Sequence, residues 1–282
     1  NIKNKTTFKL NCSSQYPIEV VNRNLNLFEK FIDLESLDQY DIAEIGPGDN
    51  LTNGFLLLDM GAHSWTGFDA YPYASVSKSY EAFLETLKTI STIVSESDYL
   101  NYEVESFRNE SPIINRQFYK IANSKKRNKT FDNLNYISPY SFKDLGKNRF
   151  DLIYSQACFE HIKNIETFYS YLYESLKQDG LVLTHIDFAS HSTSMLWNGH
   201  YRFSRRQANY FQERYSFDWI NFLKPTDHIN IIKKNGFEIL HINRSFYSSY
   251  LKKSDIPYQS FSNPVGEFDL HTRDMTMVLK KN

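Results

Sequence analysis

Cysteine is scarce in this sequence: Cys12 and Cys158 are the only two in 282 residues. A pair so widely separated makes no disulfide framework and no metal-ligand spacing, and it suits a reducing compartment. No sign of charge prevails, with 32 basic against 33 acidic residues and a net charge of −1. That balance gives no global positive field to hold nucleic acid or an anionic membrane. The basic run Lys125-Lys126-Arg127 reads as a solvated loop. Long apolar runs are missing too. The longest, such as residues 55–58, fall far short of the roughly 20 needed to cross a bilayer. No secretory leader pattern is visible, and Asn1 in place of Met points to residues upstream. These absences together predict a soluble, cytoplasmic protein with no membrane span and no nucleic-acid partner.

What is present supports one sizeable core rather than two separate domains. Residues 41–45 are a short β-prone run that ends at Gly46-Pro47-Gly48, so a strand meets a tight turn. Residues 51–60 then read as a helix closed by Gly61, and 65–69 as a second strand. Strand, glycine turn, helix and strand make a βαβ unit, which implies a parallel sheet covered by helices. A helix is expected over 75–94, from the spacing of Val76, Tyr80, Phe83, Leu84, Leu87, Ile90 and Val94. Further strands are expected at 134–138, 150–155, 181–186, 237–242 and 275–279. Helices are expected at 165–176 and from Thr226 or Asp227 to Asn235, with Gly236 as a stop. The sum is a doubly wound α/β fold with a mostly parallel sheet of seven strands. Residues 1–40 would form an N-terminal helical segment and 41–282 the main domain. Insertions are expected at about 95–130, with a helix around 113–121, and at about 188–224.

A glycine turn after a parallel strand admits a ligand close to the backbone, and the helix that follows offers free N–H groups. A dinucleotide site asks for a third glycine where this chain has Leu51. That weakens a reading as a nucleotide-sugar or NAD-dependent oxidoreductase, as does the lack of a clear Tyr-x-x-x-Lys spacing. The run Glu44-Ile45-Gly46-Pro47-Gly48-Asp49 instead resembles the first motif of Rossmann-like methyltransferases that use S-adenosylmethionine. Asp69, followed by Ala70, stands at the end of the second strand, where a carboxylate can accept both ribose hydroxyls. Residues 150–162, ending Ser155-Gln156-Ala157-Cys158-Phe159-Glu160-His161-Ile162, resemble the fourth-strand motif of the same superfamily. Leu176-Lys177-Gln178-Asp179-Gly180-Leu181 resembles its helix-turn into the fifth strand. The resemblance covers roughly residues 40–190. It implies that Glu44, Gly46, Pro47, Gly48, Asp69, Ala70, Gln156 and Ala157 hold the cofactor. By order alone, it also implies Ser141 and Phe142 beside the adenine.

A narrower likeness follows. His185-Ile186-Asp187 and His191, then Tyr201-Arg202-Phe203-Ser204, then Asp227-His228 before Gly236-Phe237-Glu238, are similar to methyltransferases of bacterial capsular and surface-polysaccharide pathways. That implies O-methylation of a sugar, free or nucleotide-linked, or of a phosphoramidate group. A small-molecule methyltransferase of other metabolism and a non-catalytic cofactor-binding subunit stay open beside it. Proton removal from a hydroxyl suits a base of near-neutral pKa, and His161, His185, Asp187 and His191 are the candidates. A His-x-Asp pair can also hold a metal, but no third ligand is evident from the spacing, so no metal is expected. Cys158 reads as a small buried thiol. Within 188–224, Trp197, Tyr201, Arg202 and Arg206 are the expected acceptor contacts, aromatics against a ring and arginines on phosphate. The competing use of that stretch is a lid packed on itself or a homodimer interface.

Overall fold

The computed structural model describes residues 14–34, 36–100, 121, 131–191, 193–204, 206–207, 210, 213–214, 219–248, 251–256 and 265–281. In chain order the principal elements are α1 (Tyr16–Phe28), β1 (Asp41–Ile45), α2 (Thr52–Asp59), β2 (Ser64–Phe68), α3 (Val76–Leu100) and β3 (Leu134–Ile137). There follow β4 (Phe150–Gln156), α4 (Ile165–Ser175), β5 (Leu176–Asp187), α5 (Pro225–Lys234), β6 (Phe237–Phe246), α6 (Glu267–His271) and β7 (Thr272–Lys281). The chain divides into two units. Asn1–Tyr40 joins Pro47–Pro139, and Asp41–Gly46 joins Tyr140–Asn282.

In the first unit, α1 carries Pro17 in its first turn, where a missing N–H costs nothing. It buries Ile18, Val21, Leu25 and Phe28, the stripe that a helical period of 3.6 puts on one face. β2 and β3 pair in parallel, from Trp65 opposite Leu134 to Phe68 opposite Ile137. Helix α2 carries Gly54 against Trp65; a Cβ at Gly54 would lie 2.5 Å from the indole. The close helix-to-strand approach that a third glycine at position 51 would have served is thus made one turn later. Phe55 of α2 packs on Phe83 and Tyr80 of α3 and on Phe131, at centroid distances of 5.5, 5.5 and 5.0 Å. Helix α3 extends beyond the expected position 94 to Leu100, so the expected insertion begins as continued helix. The remainder of that insertion, apart from Ile121, lies outside the described residues, as do Cys12 and the basic run at 125–127.

In the second unit the strand order is β1-β4-β5-β7-β6. β1 with β4 and β4 with β5 are parallel, while β7 runs antiparallel to both β5 and β6. Leu152, Ile153, Tyr154 and Ser155 of β4 are buried in succession, as befits a strand covered on both faces. β5 starts earlier than expected. Leu176 pairs with Phe150, the register slips, and pairing resumes at Leu181 opposite Leu152. The turn expected at 177–180 is therefore an irregularity within a strand. β6 and β7 also outrun their expected lengths: the added part of β6 pairs while leaving Asn243, Arg244 and Phe246 exposed, and the residues added to β7 are polar, so neither carries a hydrophobic pattern to read. Helix α5 is capped at Lys224 rather than at Thr226 or Asp227. Asp227 reaches back instead, accepting from the Lys224 N–H at 3.2 Å and from its Nζ at 3.0 Å. Gly236, at φ +88°, ends the helix as the sequence indicated.

Candidate functional site

Asp69 follows β2 directly, and its two carboxylate oxygens take separate backbone donors. Oδ2 accepts from the Gly48 N–H at 3.0 Å and Oδ1 from the Tyr71 N–H at 3.1 Å. The Ala70 N–H also bears on this carboxylate; with about four lone-pair directions, acceptor capacity remains for a further donor. Burial pushes its pKa above the ordinary carboxylate value, and the backbone donors work against that shift. Gly48 stands at φ +71° with no atom of the described residues beyond its chain neighbours within 4 Å of where a Cβ would point. The turn thus presents open space beside the carboxylate that tethers it. Pro47 lies over β2, its Cγ 3.2 Å from a Cβ built on Gly67. Ala70 is exposed. At the start of α2, the Leu51 N–H goes to Ser79 Oγ at 3.0 Å and the Thr52 N–H to Asn50 Oδ1 at 2.9 Å.

The second unit holds the other marked residues. Glu44 is buried on β1, and its Oε2 accepts from the Tyr154 hydroxyl at 2.7 Å. Gly46, at φ +75°, passes so close to Cys158 that a Cβ there would lie 2.5 Å from its Sγ. Cys158, expected as a buried thiol, is half-buried and packs against this glycine. Gln156 closes β4, and Ala157, at φ +49°, donates its N–H to His185 O at 2.9 Å. Ser141 opens a short 3-10 turn, its N–H and hydroxyl both bonded to Asp144. The Phe142 ring rests on Phe168 at 5.3 Å.

A short 3-10 turn, Phe159–His161, follows β4, and beside it runs the chain leaving β5. The parallel pairing of β4 and β5 sets their carboxyl ends side by side, with Gln156 opposite His185. Loops from such ends form ligand sites in open α/β sheets. The turn is strapped down by Asn221, which gives its side-chain N–H groups to Phe159 O and Ile162 O at 2.8 and 3.2 Å. His161 Nδ1 lies 2.7 Å from Trp219 O; facing a carbonyl, this nitrogen carries the proton and donates, which leaves Nε2 as the lone-pair atom. The His191 ring meets that of His161 edge-on at 5.0 Å, and its Nε2 lies 3.6 Å from Asp187 Oδ2. His161, Asp187 and His191 are thus brought together. His185 is held elsewhere, with its Nδ1 2.9 Å from Thr276 Oγ1 on β7.

Sequence reasoning passed over Glu160. Its carboxyl is 3% exposed. Oε1 accepts a long bond, 3.4 Å, from the Asp187 N–H, the residue's own N–H also bears on the carboxyl, and Oε2 is buried without a hydrogen-bond partner among the described residues. Desolvation, with Asp187 nearby, pushes its pKa up to about 8. Donor atoms of Glu160, His161 and His191 all lie within 4.8 Å of one another. The His185-x-Asp187 spacing considered in the sequence is not part of this trio; the fold gathers a different set of donor groups beside Asp187. The signal was the Glu-His dipeptide straight after a central strand, but nothing in it tells that the carboxyl turns inward.

The expected acceptor contacts divide. Tyr201 is a correction: its ring is 1% exposed, within a core cluster of Leu251, Val265 and Leu270, and so faces protein rather than a ligand. Trp197 is half-buried, donating from Nε1 to Ser248 O at 3.0 Å. Arg202 and Arg206 are exposed. Arg205, Phe211, Tyr215 and Phe217 of the same stretch lie outside the described residues.

Comparison with known proteins follows the same lines. A family model described as "Methyltransferase domain" matches residues 40–242. Among curated proteins none matches this sequence. An S-adenosylmethionine-dependent methyltransferase from Mesorhizobium loti is 10% identical, with 95% of this chain and 98% of that one covered and a TM-score of 0.47. Phosphoethanolamine N-methyltransferase 2 of Haemonchus contortus, solved with S-adenosyl-L-methionine, is 18% identical over 79% of this chain and 38% of that one, with a TM-score of 0.39.

Proposed function

We propose, from the premise that this chain belongs to the methyltransferase-domain family, that it transfers a methyl group from S-adenosylmethionine to an oxygen of a small polar acceptor. The observation that carries the cofactor reading is the tie between Asp69 and Gly48. A buried carboxylate fastens a glycine turn while keeping acceptor capacity for a hydroxyl donor, and the turn leaves open space among the described residues where a side chain would otherwise stand. Asp69 would hold a ribose hydroxyl, and Pro47 and Gly48 would line the methionine part. When bound, the sulfonium supplies an electrophilic methyl carbon, whose C–S bond breaks with the electron pair going to sulfur as the acceptor oxygen bonds to carbon.

The acceptor is a sugar hydroxyl or a phosphoramidate of the kind modified in surface-polysaccharide assembly. Support for that class comes from the sequence around His185, Asp187, His191 and Tyr201-Arg202-Phe203-Ser204. It comes also from the imidazole and carboxylate groups gathered beyond β4 and β5. The acceptor's proton leaves to this cluster, and much of the rate comes from holding oxygen and carbon in line. Arg202 and Arg206, being exposed, are free to grip an anionic group on the acceptor.

Calorimetric titration tests the cofactor half. S-adenosylhomocysteine should bind and NADH should not. Asp69→Ala should weaken S-adenosylhomocysteine binding by about 1.5–3 kcal/mol, the range for hydrogen bonds to a charged group. Equal affinity in the variant, or tighter binding of NADH, would overturn the assignment.

A further inference from the structure

We propose that Glu160, His161 and His191 bind a divalent first-row transition ion, which deepens the acceptor reading above by naming what the acceptor oxygen meets in this cluster. Three observations carry it. The donor atoms of the three side chains already lie within 4.8 Å of one another. Ligand bonds of about 2.0–2.2 Å around one ion require separations somewhat shorter than this, within reach of small side-chain rotations.

His161 is fixed as metal-binding histidines characteristically are. Its Nδ1 donates to the Trp219 carbonyl at 2.7 Å, which sets the tautomer and leaves Nε2 as the donor atom. The carbonyl itself is positioned by Asn221, whose main-chain N–H goes to Glu160 O at 2.7 Å. Asp187 likewise stands 3.6 Å from His191 Nε2, giving the other imidazole a carboxylate neighbour, so that the holding of both histidines is the second observation.

The third observation is Glu160 itself. Its Oε2 is sealed from solvent and has no hydrogen-bond partner among the described residues, and Asp187 lies close by. Burying a carboxyl in that state is costly unless a proton or a cation meets it. Two imidazoles on the same spot favour the cation. Two nitrogens and one carboxylate oxygen suit zinc, manganese or ferrous iron, and suit magnesium or calcium poorly. Three protein ligands leave a coordination position open, as in catalytic rather than structural sites. An acceptor hydroxyl or phosphoryl oxygen at that position would be polarised and would lose its proton more readily. The ion would make the hydroxyl more acidic, and its proton would pass to the Asp187 carboxylate beside the cluster or to solvent rather than to a ligating imidazole.

The test is binding rather than turnover. Purified chain is titrated with Mn²⁺ and free ion is followed by electron paramagnetic resonance, with Co²⁺ absorption as a second probe. One site per chain is expected, with ligand-field bands of a low-coordinate nitrogen and oxygen site. Glu160→Gln and His161→Asn should each lower Mn²⁺ affinity beyond the about 10–100-fold that loss of an outer partner costs. Near-ultraviolet circular dichroism of the ion-free variants checks that they fold. A variant that fails to fold is replaced by His191→Gln, read the same way. Asp69→Ala should bind Mn²⁺ as the unaltered chain does while losing S-adenosylhomocysteine affinity, so failure of the cofactor reading and failure of this one separate. Absence of Mn²⁺ and Co²⁺ binding to the unaltered chain, or affinity unchanged in a folded Glu160→Gln, His161→Asn double variant, would overturn the proposal.

Discussion

The bend that follows β1 and the cluster that follows β4 and β5 are made in opposite ways. At the bend, geometry comes from the main chain. Gly46 and Gly48 take φ values of +75° and +71°, and the one side chain that matters, Asp69, is oriented by backbone N–H groups. In the cluster, geometry comes from side chains. Glu160, His161, Asp187 and His191 meet because two loops are packed together, and a third segment, at Trp219 and Asn221, straps them. A main-chain device is limited first by what its backbone angles allow, and here leans on a single titratable group, Asp69. A side-chain device tolerates shape changes better, but it depends on which groups are neutral.

Gly46→Ala should produce the largest effect and is the severest trial of that contrast. The new Cβ would meet Cys158 Sγ at 2.5 Å and its Cβ at 2.9 Å, and the residue would sit at a φ that L side chains rarely adopt. The left-handed conformation costs about 1–2 kcal/mol and overpacking about 1–3 kcal/mol. A loss of about 2–4 kcal/mol in urea unfolding is expected. Cys158→Ala should be mild by itself and should relieve only part of the Gly46→Ala loss, since the backbone strain persists. A Gly46→Ala chain as stable as its parent would show that the bend has slack, and the contrast would fail.

The same contrast explains what the sequence could disclose. The β1 turn, α2 and β2 were legible because their signals are local: a strand ending in Gly-x-Gly, a capped helix, and an acid at the next strand's end. β4 was legible because a strand buried on both faces carries a continuous apolar run. Order within the sheet is another matter. Nothing in residues 272–281 announces that β7 inserts between β5 and β6, because strand pairing is decided by partners that are remote in sequence. Glu160 was illegible for the same reason, its burial depending on Asp187 and Asn221, some 27 and 61 positions away. Tyr201 misled because aromatic composition does not distinguish a ring on a rim from one in a core; Leu251, Val265 and Leu270 decide that.

A smaller effect, at the other pole of the comparison, concerns acid. His228 on α5 is wholly buried, against Phe188 at 5.6 Å, the residue that follows Asp187, and its Nδ1 lies 3.2 Å from the Tyr169 hydroxyl. Burial lowers its pKa to about 3. The unfolded chain, with an ordinary histidine value of about 6.5, binds the extra proton throughout that interval. Stability contributed by the neutral ring is therefore full above about pH 6.5 and falls as pH drops toward 3, by about 2 kcal/mol at pH 5. His200, lowered likewise by burial, adds to the slope. Thermal melts at about pH 5 and pH 7.5 should show His228→Gln losing less stability on acidification than the unaltered chain. Parallel pH slopes in the two proteins would remove His228 as a source of acid sensitivity.

Gly48→Ala should be the mildest in stability and the most telling about ligand. Its φ of +71° is strained for alanine, at about 1 kcal/mol, but among the described residues no atom beyond its chain neighbours lies within 4 Å of the added methyl, so no overpacking is expected. The Gly48 N–H can still reach Asp69 Oδ2. The methyl would project into the space assigned above to the methionine part of the cofactor. Affinity for S-adenosylhomocysteine should then fall at least about tenfold, or about 1.4 kcal/mol, more than the fold itself loses. If unfolding shifts while affinity stays the same, the space beside the turn is not where the cofactor lies. Gly46 and Gly48, two residues apart and nearly identical in φ, would then differ only in packing and not in function.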